Sequence, residues 1–126
     1  MNIRKIRANK ITIFLASLLF SMSVFAKEAA PLDVIDVAAL PKEGQITLMQ
    51  IKQGGPFPYE KDGAVFGNYE VRLPKQKRGY YHEYTVKTPR ARNRGARRII
   101  AGGQTVTSGE YYYTDDHYES FKRIRQ

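Results

Sequence analysis

The chain has 126 residues with 21 Lys and Arg against 12 Asp and Glu, for a net charge of +9, and it contains no cysteine. In an exported protein that composition rules out a disulfide framework and thiol chemistry, and with only His82 and His117 as imidazoles a structural zinc site is not expected. The positive excess favours polyanionic partners, RNA or an anionic membrane surface, without choosing between them.

The N-terminus reads as an export signal. Met1 to Lys10 carries Arg4, Lys5, Arg7 and Lys10 with no acid, and Ile11 to Phe25 is an uncharged apolar run. Val24-Phe25-Ala26 places small residues where a signal peptidase reads them, so cleavage is expected after Ala26. The apolar run falls short of the roughly 20 residues that span a membrane, so a retained anchor is the weaker reading. Removing 26 residues and their four basic side chains leaves 100 residues with 17 basic and 12 acidic groups, net +5. That makes residues 27–126 one domain, stabilised by its apolar core alone.

Within the domain, Lys27 to Leu32 reads as a mobile start. Leu40-Pro41-Lys42-Glu43 predicts a helix entry, with Pro tolerated in the first turn and an acid at the positive end of the dipole. Ile46, Met49 and Gln50 are expected on one side, with Leu48, Ile51 and Lys52 continuing around, and Gly54-Gly55 ends the helix. Pro56 to Tyr59 and Lys61-Asp62-Gly63 are turn chemistry.

From Ala64 the texture becomes strands: Ala64 to Phe66, Tyr69 to Val71, Tyr80 to Lys87, Arg97 to Ala101 and Glu110 to Thr114. In Tyr80 to Lys87, Tyr81, Glu83 and Thr85 face one way and His82, Tyr84 and Val86 the other. One main N-terminal helix packed on a twisted antiparallel β-sheet is the expected architecture, an α+β fold.

Three groups of residues carry chemistry. Glu83 projects from a sheet face among tyrosines, and its plainest role is a cross-strand ion pair with an arginine, Arg98 being the expected neighbour. A carboxylate facing arginines also stays ionised, as a general base must. Lys87, Arg90, Arg92, Arg94, Arg97 and Arg98 crowd one stretch without an acid, a phosphate-binding or a solvated face. His117 follows Asp115 and Asp116, which would hold its proton as a general acid needs. His82 lies on the opposite strand face from Glu83 and reads as structural.

The ordered set of segments resembles the small guanyl-specific microbial ribonucleases, the family that includes barnase, and especially their actinobacterial branch. The segments are Gly55 to Tyr59, Asp62 to Phe66, Asn68, Glu70, Leu73-Pro74, Gly79 to Val86 and Thr88-Pro89. Ala91-Arg92, Arg94-Gly95, Arg97 to Ile100, Tyr112 to Thr114 and Asp116 to Tyr118 complete the set. The resemblance runs from about Leu40 to the C-terminus, with a variable stretch at Ala101 to Gly109.

The resemblance implies a general base at Glu83, a general acid at His117 and phosphate-binding arginines at Arg94 and Arg98. It implies a guanine loop at Phe66-Gly67-Asn68-Tyr69-Glu70, with Tyr118 beside it. Glu70 would accept both N1–H and the exocyclic amine of guanine, while Phe66 and Tyr69 sandwich the base; for Phe66, core packing is the alternative. Tyr69 stands where bacterial relatives usually carry Arg and fungal ones Tyr, and Gly67 replaces a larger polar residue. The missing disulfide departs from the actinobacterial branch, though barnase lacks one too. The implied protein is a secreted, monomeric, metal-independent endoribonuclease with no cofactor and RNA as substrate. An acidic intracellular inhibitor resembling barstar is the implied partner. The competing reading is a cationic RNA-, polyanion- or membrane-binding protein with a vestigial site.

Overall fold

A computed structural model describes residues Glu28–Gln126. The expected leader, residues 1–26, and Lys27 lie outside the described residues. Among those described, no helix is long and apolar enough to cross a membrane.

The helix α1, Lys42–Gln53, starts after Pro41, carries Glu43 in its first turn and ends at Gly54. Gly54 has φ +77°, the left-handed conformation in which a side chain is strained, and its N–H meets the last helical carbonyls. The buried face of α1 is Gly44, Thr47, Leu48 and Ile51, while Ile46 and Met49 are exposed. A polar residue sets that face: the Thr47 hydroxyl donates to the Thr85 carbonyl, 3.0 Å away on the sheet. A threonine among the helix-facing positions interrupts the apolar period, so the sequence does not mark which side is buried.

The sheet has six strands. They are β1 (Asp33–Asp36), β2 (Val65–Phe66), β3 (Tyr81–Thr85), β4 (Arg98–Gly102), β5 (Tyr111–Thr114) and β6 (Lys122–Arg125), in the order β1-β6-β5-β4-β3-β2. All neighbours are antiparallel except β1, which pairs in parallel with β6. These two strands escape sequence reading because Asp-Val-Ile-Asp and Lys-Arg-Ile-Arg are mostly exposed and charged, with one well-buried residue, Ile124, between them. Arg125 and Asp36 form an ion pair across them at 2.7 Å. Upstream, Leu32 packs against the core, so the segment expected to be mobile is anchored at its end.

Tyr69 to Val71, expected as a strand, is a turn. Asn68 and Val71 both take positive φ, +51° and +52°, and the Val71 N–H donates to the Asn68 carbonyl. Period-two alternation cannot distinguish a strand from a tight loop of the same residues.

The sheet buries both faces. On one side Tyr84, Val86, Ile99, Ala101, Tyr111 and Tyr113 pack against Leu48 and Ile51 of α1. On the other, Tyr81, Ile100 and Tyr112 pack against Leu73 and Phe121 from the loops. The alternation in β3 follows from this: Tyr84 goes to the helix side, and Tyr81 and Glu83 go to the loop side.

Candidate active site

Glu83 stands opposite Ile100 in the β3–β4 register, on the loop side of the sheet. Its two carboxylate oxygens have separate partners. Oε1 accepts from Arg94 Nη2 at 2.7 Å, and Oε2 accepts from the Tyr118 hydroxyl at 3.0 Å. The ion pair expected from the sequence therefore exists, but its arginine is Arg94 rather than Arg98. With side-chain exposures of 16% for Glu83 and 26% for Arg94, the pair is shielded enough to hold its geometry.

Arg94 is aimed by its neighbours. Its Nε and Nη2 donate to Thr85 Oγ1 at 3.1 and 2.9 Å, so Thr85, two residues past Glu83 on the same face, orients it. Gly95 follows at φ +67°, and a Cβ there would come within 2.5 Å of Thr88 Oγ1. Only glycine closes this turn. Thr85 and Gly95 were not singled out as functional in the sequence, although the alternation in β3 places Thr85 beside Glu83.

Arg98 opens β4 and is 3% exposed. Its Nη1 donates to the carbonyls of Gly95 and Arg97 at 2.9 and 2.8 Å, which ties the arginine loop to the strand. Its buried Nε has no hydrogen-bond partner among the described residues. Beside it, the Tyr118 phenol is pushed up to about 12 by burial first and by the Glu83 charge second, with Arg98 pulling the other way. At neutral pH Tyr118 is a donor to Glu83.

His117 sits in the turn after β5, exposed, with φ +54°. Its N–H donates to the Ala96 carbonyl at 3.1 Å, which joins this turn to the arginine loop. Of the two acids beside it, Asp116 has structural partners of its own. Asp116 accepts from Thr114 Oγ1, the Ser120 N–H and Ser120 Oγ, and among the described residues it makes no bond to the His117 ring. Burial works to raise the Asp116 carboxyl, but the bonds from Ser120 and Thr114 outweigh it and hold the group below its usual range. Asp116 shapes the turn that presents His117, whose ring lies 4.8 Å from that of Tyr118.

The Phe66–Glu70 loop closes the other side. Phe66 packs on Tyr118 at 4.9 Å and on Phe121 at 5.9 Å, so it serves the core and lines the site as well. Asn68 staples the loop: its Oδ1 accepts from the Leu73 N–H at 3.1 Å, and its Nδ2 donates to the Leu73 carbonyl at 2.9 Å. Tyr69 and Glu70 are exposed at the lip, and Glu70 is held by Arg72 at 2.6 Å. Arg72, which also approaches Glu119 at 3.6 Å, had no assigned role in the sequence.

A cavity of about 450 Å³ brings these parts together, lined by residues 65–70 on one side and by Glu83, His117 and Tyr118 on the other. Arg94 and Arg98 adjoin this cavity without lining it: Arg94 is bonded to Glu83, and Arg98 lies next to Tyr118. His82, paired with Ala101 on the far face, is not part of it. A carboxylate and an imidazole thus share one cleft with an irregular loop, and two guanidinium groups adjoin it.

Comparison with known proteins places this arrangement. A family model described as ribonuclease matches residues 26–125. The chain is 57% identical over 90 residues to guanyl-specific ribonuclease Sa of Kitasatospora aureofaciens, covering 71% of this chain and 91% of that one. It is 53% identical over 88 residues to guanyl-specific ribonuclease St of Saccharopolyspora erythraea, covering 70% and 83%. Its fold is similar to that of ribonuclease Sa2 in complexes with mononucleotides, with a TM-score of 0.72 at 44% identity over 77% of this chain and 97% of that one. A further match is ribonuclease Sa2 with guanosine-2′-cyclophosphate, at a TM-score of 0.69 and 45% identity over 75% and 97%.

Proposed function

This chain belongs to the ribonuclease family, and from that premise we infer that it is a guanyl-specific endoribonuclease that cleaves single-stranded RNA 3′ of guanosine. The observation that carries the reading is the position of Glu83. It is a carboxylate held between Arg94 and Tyr118, facing a cavity that also contains His117 and the 66–70 loop.

The reaction has two steps. Glu83 takes the proton from the ribose 2′-hydroxyl, whose oxygen attacks the adjacent phosphorus. His117 gives a proton to the departing 5′-oxygen, and Arg94 and Arg98 stabilise the charge gathered on the phosphoryl oxygens. The product is a 2′,3′-cyclic phosphate. Water then opens it to the 3′-phosphate with the roles of Glu83 and His117 exchanged. DNA has no 2′-hydroxyl and is not cleaved. The bonds of Arg94 to Thr85 and of Arg98 to Gly95 and Arg97 support this division, because both guanidinium groups are fixed before substrate arrives. Structures of ribonuclease Sa2 with guanosine-2′-cyclophosphate and with 3′-GMP are of the kind this sequence of products requires.

Guanine is read at the loop. Glu70 accepts the N1–H and the exocyclic amine together, and the backbone N–H groups of residues 67–69 reach O6. Adenine offers no such donor pair and would leave Glu70 unmatched at a cost of about 1–3 kcal/mol. Arg72 holds Glu70 in place at the lip of the loop. Phe66 and Tyr69 provide aromatic faces, each worth about 1–3 kcal/mol against a base. We further propose that the leader directs export, that the domain acts as a monomer, and that an acidic inhibitor covers the basic cleft inside the producing cell.

The test is digestion of GpC, ApC, UpC and CpC in EDTA, with Glu83→Gln and His117→Ala alongside. The expected result is release of guanosine 2′,3′-cyclic phosphate from GpC, lost in both variants. Equal turnover of all four would remove the guanine role of Glu70. No turnover by folded wild type would leave a cationic polyanion-binding protein.

A further inference from the structure

Tyr69 is 80% exposed, yet its ring is held on two sides. Beneath it lies Gly67: a Cβ built there would fall 2.4 to 2.9 Å from three ring carbons of Tyr69. The φ of Gly67 is not in the left-handed region, so the backbone does not call for glycine at this position. The space taken by the ring does. Beside it lies Arg78, from the loop between Pro74 and Tyr80. Its guanidinium carbon stands over the Tyr69 ring at 5.6 Å from the centroid, and its Nη1 donates to the Tyr69 hydroxyl. Arg78 makes no ion pair among the described residues, so its contact with Tyr69 is uncontested by any carboxylate.

An exposed tyrosine on an irregular loop would ordinarily sample several rotamers. Here a bare backbone position on one side and a cation on the other select one of them. The selected ring lies against the loop that lines the cavity together with Phe66 and Glu70.

We propose that Arg78 is a positioning residue for base recognition: acting through Tyr69, it holds the ring against Gly67 as a preformed wall of the guanine pocket. The inference rests on the guanine-binding reading of the 66–70 loop. Preorganising a contact side chain strengthens binding by removing the cost of ordering it when ligand arrives. The role belongs to binding and not to proton transfer, since Arg78 meets Tyr69 and is not among the residues that line the cavity with Glu83 and His117.

The experiment measures binding of 3′-GMP by calorimetry and steady-state cleavage of GpC for wild type and for Arg78→Ala, Arg78→Lys, Gly67→Ala, Tyr69→Ala and the Tyr69→Ala/Arg78→Ala double variant. Arg78→Ala is expected to weaken 3′-GMP binding and raise KM by roughly two- to fivefold, the size of an exposed cation–π contact, with kcat and thermal midpoint unchanged. Arg78→Lys should recover part of the loss, because a cation remains beside the ring. Gly67→Ala should act in the same direction by displacing the ring. In the Tyr69→Ala background, Arg78→Ala should have no further effect.

Unchanged binding in Arg78→Ala overturns the proposal. So does tighter binding, which would make the ring an obstruction. An undiminished Arg78→Ala effect without Tyr69 also overturns it, because Arg78 would then touch the nucleotide directly. Wild type that cleaves GpC and binds 3′-GMP while Arg78→Ala matches it sinks this inference alone. Wild type that does neither sinks the guanine reading and this inference with it.

Discussion

The two halves of the cleft are built by opposite means. Glu83, Thr85 and Arg98 stand on β3 and β4, over a sheet buried on both faces, and hydrogen bonds fix Arg94 and Arg98 to their surroundings. The 66–70 loop has almost no regular structure, exposes Tyr69 and Glu70, and keeps its shape through the two bonds from Asn68 to Leu73. Groups that must be placed closely are fixed here in two ways: Glu83 and Arg98 stand on strands, while Arg94 and the His117 turn are tied by hydrogen bonds to Thr85 and to the Ala96 carbonyl. Reading a base edge needs free backbone N–H groups, and a paired strand has none to offer. The contrast predicts that damage to the corner of the sheet slows chemistry, while damage to the loop changes selectivity.

The largest effects should fall on the proposed base and acid, Glu83 on β3 and His117 in the turn after β5. Glu83→Gln and His117→Ala are expected to lower kcat for GpC by about 10²- to 10⁴-fold, the usual contribution of a general acid or base. A loss confined to KM would break the comparison by making the corner a binding element. On the loop side, Glu70→Gln should reduce the GpC-to-ApC preference by about five- to 150-fold, the equivalent of about 1–3 kcal/mol. Its urea midpoint should hardly move, because an exposed side chain contributes within about 0.5 kcal/mol.

Arg98→Ala should reverse that profile. It strips the partners from the Gly95 and Arg97 carbonyls, so unfolding in urea should show a loss of about 1–3 kcal/mol beyond any loss of turnover. Asn68→Ala sharpens the comparison from inside the loop. It removes both bonds to Leu73 at a residue with φ +51°, and about 1–2 kcal/mol of stability should go with a raised KM for GpC. If kcat fell instead, loop and corner would not be separable.

The smallest effect is one of pH. Asp116 has its folded carboxyl value depressed, so the stability it contributes is present above the unfolded value of about 3.9 and is lost as pH falls through the lower folded value. Asp116→Asn should flatten the acid end of the stability profile between those limits. An unaltered profile would mean that the Thr114–Asp116–Ser120 bonds do not hold the turn.

How much was legible beforehand follows the same division. Alternation in β3 separated Glu83 from His82, because a strand buried on both faces leaves each residue a definite side. It did not identify which arginine meets Glu83. Arg94 lies in a loop whose path depends on Gly95 packing on Thr88, and no periodicity records that contact. Glu70 was identified through resemblance, but its partner Arg72 was not, since two residues in an irregular turn meet only once the turn is formed. Asp116 was placed near His117, but its bonds to Thr114 and Ser120 were not foreseen. Adjacency in sequence says nothing about where a carboxylate points when the residue beside it has a positive φ.

The sequence by itself determined the α+β class, the four strands of the sheet that carry its apolar residues, and the family to which the chain belongs. Those properties follow from local propensity and from an ordered series of residue types, and both are written along the chain. Tertiary structure alone decided that β1 and β6 pair in parallel, that Arg94 takes Glu83, and that Arg78 meets Tyr69. Each of these joins segments with weak local signals, and their geometry exists only after the core has brought them within reach of one another.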